Sequence, residues 1–332
     1  MTWFQQLTGF HEVSPNQVRE NIIVDGNTLT SLVNGNVFTC GRLETPSLAE
    51  LRERVRTCEH VAGKISAREA VANVQDLHVQ ESNAGSLFQV ASQFNLLEMV
   101  SPNLTPERGI GIYENDRTQG PACAIACGAG TMYRNYFAVV NGRIGQSAEN
   151  QIDCLADIGT ALNNSGNRLW EMKNGYALAS HDGLIEISNR LQVSGENEID
   201  VLRQLLRIGI QWHTQVTIGD VRHAVTQVYC SALPVAYSNH SPGLWKNFAQ
   251  LVLDASYEAT ICAAILNSQA TGNNRVFLTL LGGGAFGNAS EWITAGIKRA
   301  LNLYKDWNLD VAIVSYGTSK QSVRQLIEPF SR

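Results

Sequence analysis

The stretch from Val276 to Ser315 constrains the fold more than any other part of the chain. A short apolar run, Val276–Leu281, leads into Gly282-Gly283-Gly284-Ala285-Phe286-Gly287-Asn288. A helical period follows from about Ser290 to Lys305, with Ile293, Ile297, Ala300, Leu301 and Tyr304 on one face, and then a second apolar run, Leu309–Ser315. Two apolar strands joined through a helix lie parallel in one sheet, because only a crossover of that length returns the chain to the same edge. The glycine loop then occupies the carboxyl end of a strand and the start of a helix, where open α/β sheets bind ligands. Its small residues let main chain approach a ligand closely, and its N–H groups and the helix dipole suit a phosphate or diphosphate. It is not a Walker A loop, since no Lys-Ser/Thr pair follows, and it is not GxGxxG. A tight turn is the plain alternative, but so long a permissive run exceeds what a turn requires.

The neighbouring segments extend the same pattern. Val225–Leu233 reads as a strand and Leu244–Leu266 as a long amphipathic helix, with Phe248, Leu251, Val252, Ala255, Ala259, Cys262 and Leu266 on one face. Ser86–Asn95 is a mostly apolar strand of the kind buried on both faces of a parallel sheet. A long loop, Ser101–Gly120, separates it from a small-residue helix over Pro121–Tyr136. Residues 146–215 read as two or three helices around a hairpin that turns at Asn174-Gly175. Nearer the N-terminus, Asp25-Gly26 and Asn34-Gly35 join the runs Asn21–Val24, Thr28–Val33 and Val37–Cys40 into an antiparallel meander. Ser47 caps the next helix and Glu50 closes a capping box, and a second short helix is expected near Ser66.

Composition removes several function classes. The 332 residues are 44% apolar and 17% charged, a globular balance. The net charge is −5 with no cluster of Lys and Arg, so nucleic acid is not the expected partner. No apolar run approaches the ~18 residues of a membrane span. The first residues lack a basic and then apolar secretory leader, so the seven cysteines are expected as reduced thiols in the cytoplasm. Cys123 and Cys127 have no second ligand pair and read as small core residues, and the scattered histidines form no HExxH, so no metal is expected.

The segment Leu280-Leu281-Gly282-Gly283-Gly284-Ala285-Phe286-Gly287-Asn288 resembles the diphosphate loop of macrodomains, in the version carried by poly(ADP-ribose) glycohydrolases. The strand and long helix before it occupy the places they hold in that superfamily. Phe88-Gln-Val-Ala-Ser-Gln-Phe-Asn95 is similar to the strand that opens the site there. The likeness covers about residues 78–137 and 222–318. It implies a macrodomain-like three-layer α/β/α sandwich with a mixed, mostly parallel sheet. Residues 1–75 would be a β-rich extension, and residues 76–332 the main domain with a helical insertion at about 146–215. It further implies that Asn95 holds the distal ribose, that Glu81 or Asn83 faces adenine, and that Gly282, Gly283, Gly284, Ala285, Phe286, Gly287 and Asn288 surround the diphosphate.

The departure from that family lies in the catalytic segment. Its glycohydrolases follow the first strand with a triple-glycine loop and a Gln-Glu-Glu motif, and neither is present. The chain has Gly109-Ile-Gly-Ile-Tyr-Glu-Asn-Asp-Arg-Thr-Gln-Gly-Pro121 instead. Cleaving a glycosidic bond passes through an oxocarbenium-like state and needs an acid for the leaving group and a base for water. Asp116 and Glu114 are the candidates, set against an N-cap and a solvated side chain; Glu98 is a third. Thr118, Gln119 and Gly120 can offer N–H groups at a helix start. Arg134 reads as a surface ion-pair residue, with a phosphate as the alternative partner, and Glu258 as a structural carboxylate paired with Arg or Tyr. The expected activity is hydrolytic removal of ADP-ribose from a modified macromolecule, with no cofactor and ADP-ribose as ligand or product. Some bacterial effectors resembling this class act on ADP-ribosylated ubiquitin, so a protein-linked substrate is expected. An inactive reader or a sensor of an NAD-derived nucleotide is the alternative.

Overall fold

Four consecutive residues, Leu87, Phe88, Gln89 and Val90, are almost wholly inaccessible to solvent, which only a strand covered on both faces allows. The two faces can be told apart by what alternate side chains touch. Phe88 stacks on His78 of the helix Val74–Val79, whereas Gln89 hydrogen-bonds Thr260 of the long helix Pro242–Thr271. Successive strand residues point to opposite faces, so the sheet lies between two helical layers. These features belong to a computed structural model, which describes residues 1–331.

The central sheet has seven strands, numbered here β1 Arg42–Glu44, β2 Ser66–Val71, β3 Leu87–Ala91, β4 Gly209–Gln215, β5 Ala224–Cys230, β6 Arg275–Leu278 and β7 Asp310–Ser315. Their spatial order is β1-β4-β5-β3-β6-β7-β2. β5, β3, β6, β7 and β2 are mutually parallel, and β4 runs antiparallel to both of its neighbours. The expected three-layer α/β/α sandwich with a mixed, mostly parallel sheet is therefore the observed architecture.

One helical layer contains α1 Leu48–Thr57, α3 His181–Val193, α4 Glu196–Gln204 and α6 Ser290–Leu303, all packed on α5 Pro242–Thr271. α5 is long and apolar enough by composition to cross a membrane, but 89% of its most apolar stretch is buried inside the fold, which accounts for that composition. The other layer contains α2 Gln119–Ala126 beside Val74–Val79 and Gly128–Met132. The N-terminal helix Trp3–Thr8 and a three-stranded meander pack outside it around a second apolar cluster that includes Phe4, Leu29, Met99, Tyr113 and Tyr136.

Three expectations need correction. The segment near Ser66 is not a helix but the edge strand β2, paired with β7 along its whole length. Ser-Ala-Arg-Glu-Ala-Val has no strong β pattern, and the partner strand decides its conformation. The first 75 residues are not simply an extension, since they supply both edge strands of the sheet. The insertion does not reach 215 either, because β4 lies inside the sheet. The meander, the hairpin Trp170–Lys173 with Tyr176–Ala179, and the Ser47–Glu50 capping box stand as expected.

Glu258, read as a structural carboxylate, lies on α5 at 2% side-chain exposure. It accepts from Arg52 of α1 at 2.6 Å and from Arg299 of α6 at 2.6 Å. Removing a buried partner strands the opposite charges. Glu258→Ala is therefore expected to destabilise the protein by about 3 kcal/mol, measured as a loss in urea midpoint with an unchanged slope.

Candidate functional site

The adjacent strands β5, β3 and β6 all end at the same edge of the sheet, and a cleft opens where they do. Its walls come from Ala91–Gln93 after β3, from Ala232 and Tyr237 after β5, and from Thr279–Gly282 and Gly284–Phe286 after β6. Asp116 and Thr118–Pro121, leading into α2, close the remaining side. The cleft measures about 160 Å³, less than the ~300–1,000 Å³ that encloses a drug-sized ligand.

The glycine loop is tied down at both ends and free in the middle. Gly282 (φ 75°) and Gly287 (φ 71°) take left-handed conformations. A β-carbon on Gly282 would stand 2.5 Å from that of Ala232, and one on Gly287 would stand 2.8 Å from that of Ala236. Asn288 is buried. Its N–H donates to the Gly282 carbonyl at 2.9 Å, and its Nδ2 donates to the Leu233 carbonyl at 2.8 Å. Ala236 N–H donates to the Phe286 carbonyl at 3.0 Å. Between these anchors Gly284, Ala285 and Phe286 border the cleft, and among the described residues their N–H groups have no partner. Successive main-chain N–H groups can bind an anion where they converge.

On the opposite wall, the backbone turns sharply after β3. Leu96 N–H donates to the Gln93 carbonyl at 2.9 Å, and Leu96 itself has φ 65°, a conformation rare for a branched side chain. Arg134 holds this turn. Its Nε donates to the Leu96 carbonyl at 3.2 Å, its Nη2 donates to Thr131 at 3.0 Å, and its Cζ lies 3.6 Å from the Tyr229 ring centroid. Arg134 is fully buried, so the surface pairing expected for it is replaced by a core role.

The turn returns Glu98 to the cleft. Glu98 is 3% exposed and its Oε1 has no hydrogen-bond partner among the described residues. Its main-chain N–H donates to the Tyr113 hydroxyl at 3.0 Å. Burial pushes its carboxyl well above the usual carboxylate range; the charge of Arg134 opposes this and that of Asp116 adds to it. Asp116 is half-buried, and its Oδ1 accepts from Thr118 N–H at 2.8 Å. Glu98 and Asp116 thus border one cleft in different surroundings, one buried and the other half-buried.

Gly120 sets how closely these parts meet. A β-carbon there would stand 2.0 Å from the Ala91 carbonyl oxygen and 2.2 Å from Glu98 Oε2. Gln119 fastens the same junction, with Oε1 accepting from Ala91 N–H and Nε2 donating to the Gln89 carbonyl, both at 2.9 Å.

The structure thus gathers Asp116, Thr118, Gln119, Gly120, Gly282, Gly284, Ala285 and Phe286 around one cleft, with Gly283, Gly287 and Asn288 in the same loop. Four predicted residues lie elsewhere. Glu114 is exposed and accepts from the Trp3 N–H at 3.2 Å, which makes it part of the N-terminal clamp. Asn95 is fully buried, with Nδ2 donating to Gln151 at 2.8 Å and Oδ1 accepting from Leu97 N–H at 3.1 Å. Glu81 and Asn83 precede β3 and so stand at the amino end of the parallel strands, across the sheet from the cleft. Asn83 is occupied by the Leu77 carbonyl and by Arg275.

Sequence reasoning missed Gln93 and Tyr176. Gln93 Oε1 accepts from Met99 N–H at 2.9 Å. Tyr176, just past the predicted Asn174-Gly175 turn, packs with Tyr237 and Phe286 at centroid distances of 5.1 and 5.3 Å. The turn was legible, but the wall that the ring would join was not. Among the described residues no cluster of His, Cys, Asp and Glu could hold a metal ion.

No family model matches the chain. No curated protein matches it. Solved structures similar to it include a poly(ADP-ribose) glycohydrolase from Thermomonospora curvata bound to the inhibitor ADP-HPD, with 12% identity over 94% of this chain and 96% of that one and a TM-score of 0.43. Another is the poly(ADP-ribose) glycohydrolase of Deinococcus radiodurans in complex with ADP-ribose, with 12% identity over 87% and 94% and a TM-score of 0.46. A likeness this distant assigns neither an activity nor a residue role to this chain.

The raised carboxyl has a thermodynamic signature. Unfolding lets Glu98 ionise from about pH 4.3 upward, while the folded state keeps it protonated to a higher pH. Native protein then binds more protons, so its stability falls as pH rises from the unfolded pKa to the folded one. Glu98→Gln keeps the shape and removes this loss. The variant is expected to gain stability over the wild type between pH 5 and 8 and to show no such gain near pH 4, in melting curves across that range.

Proposed function

We propose that the protein binds ADP-ribose in this cleft and hydrolyses the glycosidic bond that attaches it to a macromolecule. The observation that carries the reading is the pairing of Glu98 and Asp116 opposite three free main-chain N–H groups. The amides of Gly284, Ala285 and Phe286 suit a diphosphate. The distal ribose would then lie toward the two carboxyls.

The chemistry divides between the two groups. Glu98, whose carboxyl burial shifts toward the protonated form, donates its proton to the leaving oxygen or nitrogen as the bond to C1″ breaks. Asp116, reached by solvent, accepts a proton from water as the hydroxyl adds to C1″. Water is consumed, and solvent exchange resets both carboxyls. The macromolecule is a protein in this reading, and ADP-ribosylated ubiquitin is a defined substrate on which to try it. All seven cysteines are unpaired, as a reducing compartment such as the cytoplasm would leave them.

Gly284 offers a clean test of binding. A β-carbon there meets nothing within 4 Å, so Gly284→Glu leaves the fold intact while placing a negative charge among the free amides. Calorimetric titration is expected to show micromolar binding of ADP-ribose by the wild type, about −8 kcal/mol, and none by Gly284→Glu. Equal binding by both would remove the loop from the site.

Turnover separates an enzyme from a reader. Asp116→Ala and Glu98→Gln are each expected to lower kcat for release of ADP-ribose by about 100-fold or more while ADP-ribose still binds. No release by the wild type despite tight binding would leave a binding protein.

A further inference from the structure

A second groove lies against the cleft and shares Val100 and Asp116 with it. It measures about 450 Å³ and is formed by the loop between β3 and α2. Val100, Leu104 and Ile112 give it an aliphatic floor, and the exposed Arg108 and Arg117 stand at its sides. Among the described residues neither guanidinium has an ion-pair partner in the chain. Arg52, Arg203 and Arg299, by contrast, are all engaged by carboxylates.

The groove is held in shape from below. The Glu12 carboxylate accepts from Ile110 N–H at 3.0 Å and Gly111 N–H at 2.7 Å, and it also receives the Tyr136 hydroxyl. Trp3 Nε1 donates to the Ile110 carbonyl at 3.3 Å. The loop that carries both arginines and Asp116 is therefore pinned to the N-terminal segment.

We infer that this groove receives the acceptor side of the substrate, and that the acceptor there is an acidic, aliphatic protein segment. The inference rests on the proposed ADP-ribose site and names what lies beyond its scissile bond. The position follows from Asp116, which borders both spaces. A group leaving the cleft past Asp116 enters the groove. The chemistry follows from the lining. Two free guanidiniums recognise carboxylates or phosphates, and an aliphatic floor takes Leu, Ile or Val side chains. A nucleotide acceptor would bring a base, which stacks on aromatic side chains, and among the described residues none that lines this groove is aromatic. Arg108 and Arg117 outweigh Asp116 in the lining, so the groove offers a net positive charge to an acidic partner.

The test measures binding to the full chain with Asp116→Asn to suppress turnover. The probes are free ADP-ribose, an ADP-ribose dimer, and two mono-ADP-ribosylated peptides of equal linkage flanked by Glu and Leu or by Lys and Leu. The Glu/Leu peptide is expected to bind about fivefold tighter than the Lys/Leu peptide at low salt. That margin should disappear in Arg108→Glu/Arg117→Glu while free ADP-ribose binds as before. Equal affinity for the two peptides overturns the inference, as does a dimer that binds tighter than the Glu/Leu peptide, which would make the acceptor a nucleotide. Loss of free ADP-ribose binding in the double variant also overturns it, because the arginines would then serve the cleft. If free ADP-ribose fails to bind even the protein with native arginines, the cleft reading itself fails and the groove reading falls with it.

Discussion

The contact between Gly120 and the end of β3 governs the whole site. The main chain entering α2 comes so close to the Ala91 carbonyl and the Glu98 carboxyl that no β-carbon fits between them. That approach does three things at once. It buries Glu98 to 3% exposure, which pushes its carboxyl above the usual carboxylate range. It brings the Asp116–Thr118 turn to the rim of the cleft. It also lets Gln119 replace a missing strand partner by bonding both Gln89 and Ala91 main chain. Any side chain at Gly120 would separate strand from helix and admit solvent to Glu98.

The same junction gives the N-terminal residues a purpose. The loop from Ser101 to Thr118 is long and has only short helical turns of its own. Loops of that length are usually mobile or functional. Here Glu12 supplies a half-buried carboxyl to two of its N–H groups, and Trp3 binds it at Ile110 and Glu114. Glu114 looked like a catalytic acid in the sequence because it stands two residues from Asp116. Its contact with Trp3 makes it a fastener for the segment that presents Asp116.

Residues remote in sequence also complete the sheet and the cleft wall. β1 and β2 come from the first 75 residues, and β4 from the end of the helical segment. The hairpin inside that segment brings Tyr176 against Phe286, and the Tyr176 hydroxyl donates to the Met99 carbonyl at 2.6 Å. The hairpin thus braces both the glycine loop and the segment after Glu98. The insertion is part of the site architecture rather than an appendage.

The parallel core, the glycine loop, the capping of α1 and the hairpin turns were legible from the residues alone. These depend on local rules: apolar period, φ > 0 at glycine, and side chains that satisfy nearby main chain. Long-range packing settled which carboxyl is buried, which arginine is core, and which asparagine is already engaged. Asn95, Glu81 and Asn83 matched a pattern by their place along the chain. In the fold, Asn95 is spent on Gln151, while Glu81 and Asn83 stand at the wrong end of β3. Glu98 gave little signal in the sequence, since a carboxyl becomes an acid through desolvation, and desolvation is produced by the helix, turn and arginine that other parts of the chain bring to it.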